Sequence, residues 1–178
     1  MIDISQVQII RLSHSYEFLP FDCSDNDLNE FLLKDSKPYL DNLLAVTYVI
    51  EYRDCIIAFF SVSNDKISAS DCSSNNRFKK LFKDIMPDGK KIRSYPAVKI
   101  GRFAVHKNFQ GQNFGSKLLD YIKGLFLDSN RTGCQYITVD AYKQSLRFYE
   151  RNGFKYFGDQ DIKKDTRQMY YPLIRFPE

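Results

Sequence analysis

The seven residues Gln110-Gly111-Gln112-Asn113-Phe114-Gly115-Ser116 carry the clearest chemical signal in the chain. Glycine at 111 and 115 removes side chains where a backbone can meet a ligand, and glycine reaches positive φ at little steric cost. An apolar strand pattern, Val98, Ile100, Phe103, Ala104 and Val105, runs into this turn. After it, Phe114, Leu118, Leu119, Ile122 and Phe126 recur at helical spacing. The first N–H groups of a helix have no intrahelical partner, and the helix dipole adds positive potential at the same end. Such a turn can cradle phosphate oxygens. The order Gly115-Ser116-Lys117 is not the Gly-Lys-Ser/Thr of a Walker loop, and the Gly-x-Gly-x-x-Gly of dinucleotide folds is absent. A two-glycine turn ahead of a helix also has a purely structural reading, so the surrounding elements decide.

The chain has 178 residues, 43% of them hydrophobic, which suits one globular domain with a full core. No apolar run spans a bilayer and the N-terminus lacks a signal-peptide pattern, so the expectation is a cytoplasmic protein with no membrane contact. Cys23, Cys55, Cys72 and Cys134 show no paired spacing, and only His14 and His106 could join them as ligands, which argues against a disulfide framework and against a metal site. Charge is uneven. Residues 1–50 hold three basic and eight acidic side chains, whereas Lys66 to Arg93 hold eight basic and three acidic ones. The second segment can attract a polyanion such as RNA, or can be a solvated lysine-rich insertion.

In chain order, Val7 to Leu12 reads as a strand. Ser24 or Asp25 can cap a helix with Leu28, Phe31 and Leu32 on one face, disturbed or ended by Pro38. Leu43 to Glu51 and Cys55 to Val62 form a hairpin around Tyr52-Arg53-Asp54. Ser63 to Arg93 is polar, with a short helix near Phe78, Leu81 and Phe82 and a turn at Pro87-Asp88-Gly89. The central strand and helix follow, then a strand at Gly133 to Asp140. Ser145 to Arg151 is a short helix stopped by Asn152-Gly153, and short strands lie at Phe154 to Phe157 and Gln168 to Ile174. This is the pattern of a mixed sheet flanked by helices.

The turn resembles the acyl-CoA pyrophosphate loop of the GNAT acyltransferase superfamily, Gln/Arg-x-x-Gly-x-Gly/Ala. Gln110 and Gly115 match its ends, Gly111 is an extra glycine that these loops often carry, and Asn113 stands at the middle glycine. Asparagine visits left-handed geometry readily. Phe148-Tyr149-Glu150-Arg151-Asn152-Gly153-Phe154 resembles a late helix of the same family, and one strand separates the two motifs as it should. The resemblance implies one GNAT domain over residues 1–178, an α/β (α+β) fold whose mixed, mostly antiparallel central sheet is flanked by helices. It implies acetyl-CoA as co-substrate and no metal. The main chain of Phe103, Ala104 and Val105 would pair with the pantetheine arm, and Gln110, Gly111, Gln112, Asn113, Phe114, Gly115 and Ser116 would surround the pyrophosphate. Tyr149 would lie near the sulfur as general acid for the leaving thiolate. A backbone N–H of the central strand would stabilise the oxyanion. The other reading of Tyr149 is an aromatic packed under the sheet. His106 and Asp140 read as structural, so no general base is marked.

A closer resemblance rests on FDCSDNDLNEFL, GRFAVHKNFQGQNFG, VDAYKQSLRFYERNGF and the terminal MYYPL, which together are similar to the GNAT toxins of toxin–antitoxin pairs. Those enzymes acetylate the α-amino group of aminoacyl-tRNA. The likeness implies a primary-amine acceptor on tRNA, RNA contact through the basic 66–93 segment, an antitoxin partner and a homodimer. Two other readings stand beside it: a small-molecule or protein-amine acetyltransferase on the same scaffold, and a catalytically silent acyl-CoA-binding module.

Overall fold

A computed structural model of the chain describes residues 6–82, 93–128 and 133–173. Its seven strands are β1 (Gln8–Arg11), β2 (Val46–Glu51), β3 (Ile56–Ser68), β4 (Ser94–Val105), β5 (Tyr136–Tyr142), β6 (Lys155–Tyr156) and β7 (Thr166–Pro172). They form one sheet in the order β1-β2-β3-β4-β5-β7-β6. The pairs β1/β2, β2/β3, β5/β7 and β6/β7 are antiparallel. The helices are α1 (Asn26–Glu30), α2 (Ser36–Asp41), α3 (Asn75–Phe82), α4 (Phe114–Leu127) and α5 (Leu146–Arg151). This is the expected mixed, mostly antiparallel α/β architecture. The chain packs as two compact units, Met1–Ser63 with Ile100–Leu119, and Asn64–Lys99 with Asp120–Glu178. The turn Pro87-Asp88-Gly89 and Ile174 lie outside the described residues.

In the first unit, Asp25 caps α1 by accepting the Leu28 N–H at 3.1 Å. Pro38 does not end this helical stretch, which continues to Asp41. The disturbance falls upstream, where Phe31–Asp35 widens into a π-helix and the buried Ser36 hydroxyl donates to the Leu32 carbonyl at 2.5 Å. A proline removes an N–H and crowds the preceding turn, and a wider turn relieves that crowding. Phe31 and Leu32 then pack with Val49, Phe59 and Ala104. Leu43 and Leu44 are not in β2, because their N–H groups turn back to close α2 on the carbonyls of Leu40 and Tyr39. The hairpin is a two-residue one, with Arg53 and Asp54 both at positive φ (48° and 57°) and paired Tyr52–Cys55 bonds on either side.

The second unit holds the tail of β3, which runs six residues past Val62. Its polar composition hides a two-residue alternation: Asn64 and Lys66 face out while Ile67 is fully buried beside Phe78, Tyr95 and Tyr136. Ser74 caps α3 by accepting from the Arg77 N–H at 3.1 Å. At the start of β7, Arg167 forms a buried clamp. Its Nε donates to Asp161 at 2.8 Å, one Nη donates to the Gly158 carbonyl at 2.5 Å, and the guanidinium lies 4.2 Å over the Tyr156 ring. The second Asp161 oxygen accepts the Gln168 N–H at 2.6 Å. Replacing Asp161 by alanine leaves the buried guanidinium with only the exposed Asp159 carboxylate at 3.5 Å and is expected to cost about 3 kcal/mol in chemical denaturation. A loss under about 1 kcal/mol would mean that water reaches the guanidinium.

Candidate active site

In the first unit, β4 ends at Val105 and the chain is pinned before it reaches the glycine turn. The His106 N–H donates to Ile57 at 2.8 Å, and the Lys107 N–H donates to the Asp22 carbonyl at 2.9 Å. The Lys107 ammonium meets the Asp22 carboxylate at 2.7 Å. That contact, then the Ser24 N–H and the Asn29 amide, hold the Asp22 carboxyl well below its usual range. Gln110 is a staple: its amide nitrogen donates to the Val105 carbonyl at 2.8 Å and to the Cys23 carbonyl at 3.1 Å. The Gln112 amide donates to the Asn108 carbonyl at 3.1 Å. These bonds fix both flanks of the turn using side-chain amides and leave its main chain untouched.

The turn itself has left-handed backbone at Gly111 (φ +75°) and at Asn113 (φ +59°). Asparagine therefore takes the conformation that the motif's middle glycine would supply. A Cβ at Gly111 would meet nothing within 4 Å, so this backbone is open to approach. The first helical bond of α4 is from Lys117 N–H to the Asn113 carbonyl at 3.3 Å. Among the described residues, none of the backbone N–H groups from Gly111 to Ser116 has a hydrogen-bond partner. Between His106 and Lys117 the sequence holds no acidic residue; Lys107 is balanced by Asp22, and Lys117 adds positive charge. Unpaired amides at a helix entrance in an acid-free stretch suit a multiply charged oxyanion such as a pyrophosphate. Phe103 and Val105 are half-buried on the same strand, with Ala104 buried between them.

In the second unit, Tyr149 sits on α5 between Phe148 and Phe154, both edge-on at 5.2 Å. The helix stops because Gly153 adopts φ +85°, and the Phe154 N–H returns to the Tyr149 carbonyl at 3.0 Å. Any larger residue at 153 would bring its Cβ to 3.0 Å from the Tyr171 ring. Lys123 of α4 donates to the Asn152 carbonyl at 3.1 Å and lies 4.4 Å over Tyr171, which locks this helix end. Tyr149 is buried, and its hydroxyl has no hydrogen-bond partner among the described residues. Burial lifts the phenol far above its ordinary 10.0, so it remains O–H at any physiological pH. A folded-state pKa raised above the unfolded one gives stability that is full below pH 10 and lost as pH rises further. Melting temperature is thus expected to fall above about pH 10, and to fall less steeply in Tyr149→Phe; parallel curves would refute the burial of this phenol.

Two titratable groups, His106 just after β4 and Asp140 near the end of β5, both have partners. His106 caps the following turn, its Nδ1 accepting from the Asn108 N–H at 3.2 Å. Asp140 is paired with Lys99 at 2.5 Å. A cavity of about 60 Å³ beside that pair is also lined by Asp65, Lys66, Asp71 and Thr138. Its acids are occupied too, Asp65 by the Thr138 hydroxyl and Asp71 by the Ser68 N–H and hydroxyl. Sequence reasoning did not anticipate this cavity. The alternation of β3 through Asp65 was the available signal.

The sequence profile of the acetyltransferase (GNAT) domain matches residues 45–156, which is more than half of the chain. The protein belongs to the GNAT acetyltransferase family. Among solved structures, a mutant of KacT superposes with a TM-score of 0.75 at 23% identity, over 94% of this chain and 95% of that one. AtaT complexed with acetyl-methionyl-tRNAfMet gives a TM-score of 0.73 at 19% identity over 93% and 94% of the two chains. AtaTR bound with acetyl-CoA gives 0.74 at 18% over 96% and 95%. At these identities the likeness is one of fold. No curated protein matches the chain by sequence. Among the described residues, no helix is long and apolar enough to cross a membrane, and the four cysteines are free thiols.

Proposed function

We propose that this protein acts as one catalytic domain and transfers the acetyl group of acetyl-CoA to a primary amine, and that the amine is the α-amino group of an aminoacyl-tRNA. The observation that carries the donor assignment is the row of unpartnered amides from Gly111 to Ser116. They and the α4 entrance bind the pyrophosphate, while the main chain of Phe103, Ala104 and Val105 receives the pantetheine arm. Gln110 acts through the turn by holding it to β4. The amine attacks the thioester carbonyl, a C–N bond forms, the C–S bond breaks, and the amine's proton passes to solvent. Tyr149 supplies the hydroxyl to the departing sulfur. Because its pKa lies well above that of an ordinary thiol, near 8.5, full proton transfer is uphill, and a hydrogen bond to the thiolate is its main contribution.

The engagement of His106 and Asp140 supports this acceptor. An α-amine with a pKa near 7.8 is neutral in roughly a tenth of molecules at pH 7, some few hundred-fold more often than a lysine amine near 10.4. With His106 Nδ1 accepting from Asn108 and Asp140 paired with Lys99, the less basic amine suits this enzyme. A toxin bound to its antitoxin and one complexed with acetyl-methionyl-tRNAfMet stand among the solved neighbours, and that likeness supports an antitoxin partner and a tRNA acceptor; a homodimer, tRNA contact through the basic 66–93 segment and work in the cytoplasm belong to the same proposal. Labelled acetyl-CoA incubated with charged bulk tRNA, polyamines and ribosomal proteins tests the acceptor. Label is expected on charged tRNA and on no deacylated control. Label on polyamine or protein alone would replace the acceptor and keep the transfer chemistry, and none anywhere would favour a binding module.

A further inference from the structure

The segment Phe21–Cys23 precedes α1 and belongs to no strand, and the flank of the glycine turn is built on it. Phe21 is buried edge-on to Phe59 at 5.4 Å and to His106 at 5.8 Å. The Asp22 carbonyl accepts the Lys107 N–H, and the Cys23 carbonyl accepts from the Gln110 amide across 87 residues of sequence. The Asp22 carboxylate joins the same parts a second time. One oxygen accepts from the Lys107 ammonium at 2.7 Å; the other accepts from the Asn29 amide of α1 at 3.1 Å and from the Ser24 N–H at 2.8 Å. Asn29 in turn accepts the Cys23 N–H at 3.0 Å. Ser24 is held at φ +67°, a conformation that a side chain opposes and that surrounding bonds must impose.

By charge alone, an acid here works against anion binding. It cancels Lys107, one of the two lysines that bracket Gly111 to Ser116, so electrostatics would favour a neutral residue at 22. What the carboxylate supplies instead is placement. The amides of the turn are tied to nothing in the protein, so their alignment for a ligand depends on the bonds at its flanks. We propose that Asp22 is a positioning residue of acetyl transfer: anchored by Asn29 and acting through Lys107, it sets the entrance of the glycine turn against α1 and so governs acetyl-CoA affinity. The inference rests on that turn being the acetyl-CoA site.

Titrating acetyl-CoA into Asp22→Asn by calorimetry separates the alternatives by sign, because the substitution keeps the shape and removes the charge. Positioning predicts an affinity about tenfold lower, with the KM for acetyl-CoA rising to match while kcat at saturation holds within about twofold. A charge effect predicts tighter binding, and a purely structural Asp22 predicts a lower melting temperature with unaltered affinity; either result would overturn the proposal. Lys107→Met should weaken binding as well, and the double variant should bind within about twofold of the weaker single one. Additive losses would mean that Asp22 does not act through Lys107, and would overturn it too. Wild-type protein titrated alongside separates the inference from its premise. If the wild type fails to bind acetyl-CoA, the donor site and this inference fall together, whereas wild-type binding that Asp22→Asn leaves intact removes Asp22 alone.

Discussion

Tyr149→Phe is expected to lower kcat by about 10²- to 10³-fold, the range of a positioned acid or hydrogen-bond donor, while acetyl-CoA binds as before. The substitution removes one oxygen from a buried ring and leaves the packing against Phe148 and Phe154 intact. Because the hydroxyl has no partner among the described residues, its loss should not destabilise the fold. No hydrogen bond is lost, so the variant should melt at about the same temperature. Activity would then fall without a matching loss of stability, as a functional hydroxyl predicts. Thiol release measures the first and thermal melting the second. A change in kcat below about threefold would return Tyr149 to the core as a packed aromatic.

Gly115→Glu is expected to lower acetyl-CoA affinity by at least about 100-fold with the fold preserved. The carboxylate would occupy the helix entrance and oppose the pyrophosphate charge at close range, where a few kcal/mol of repulsion is ordinary. Folding tolerates it for the same electrostatic reason. Gly115 is the second residue of α4 and is not among the positive-φ glycines, and acidic residues are favoured in a helix's first turn. Calorimetry with acetyl-CoA and circular dichroism separate the two effects. Unaltered affinity would remove the turn from the site.

Both motifs were legible because each is local. Asn113 can stand for glycine because it tolerates the left-handed φ of +59° that the turn requires. Gly153 was legible as a helix stop, although the Tyr171 ring that forbids a side chain there was not. What escaped is long-range or masked by neighbours. Asp65 meets Thr138 across 73 residues, and no spacing announces that contact. The β-branched run after Leu43 suggested one strand from its first residue. Helix closure took Leu43 and Leu44 instead, because backbone N–H groups turned back to orphan carbonyls outweigh strand propensity. The π-helix at Phe31–Asp35 is a response to Pro38 that a proline alone signals only as a break.

The account turns on the main-chain amides between Gly111 and Ser116. Recording the amide resonances of the isotope-labelled protein while titrating coenzyme A tests them directly. The account predicts saturable shifts concentrated at these six residues, lost in Gly115→Glu. Binding of coenzyme A that leaves those amides unshifted would contradict it.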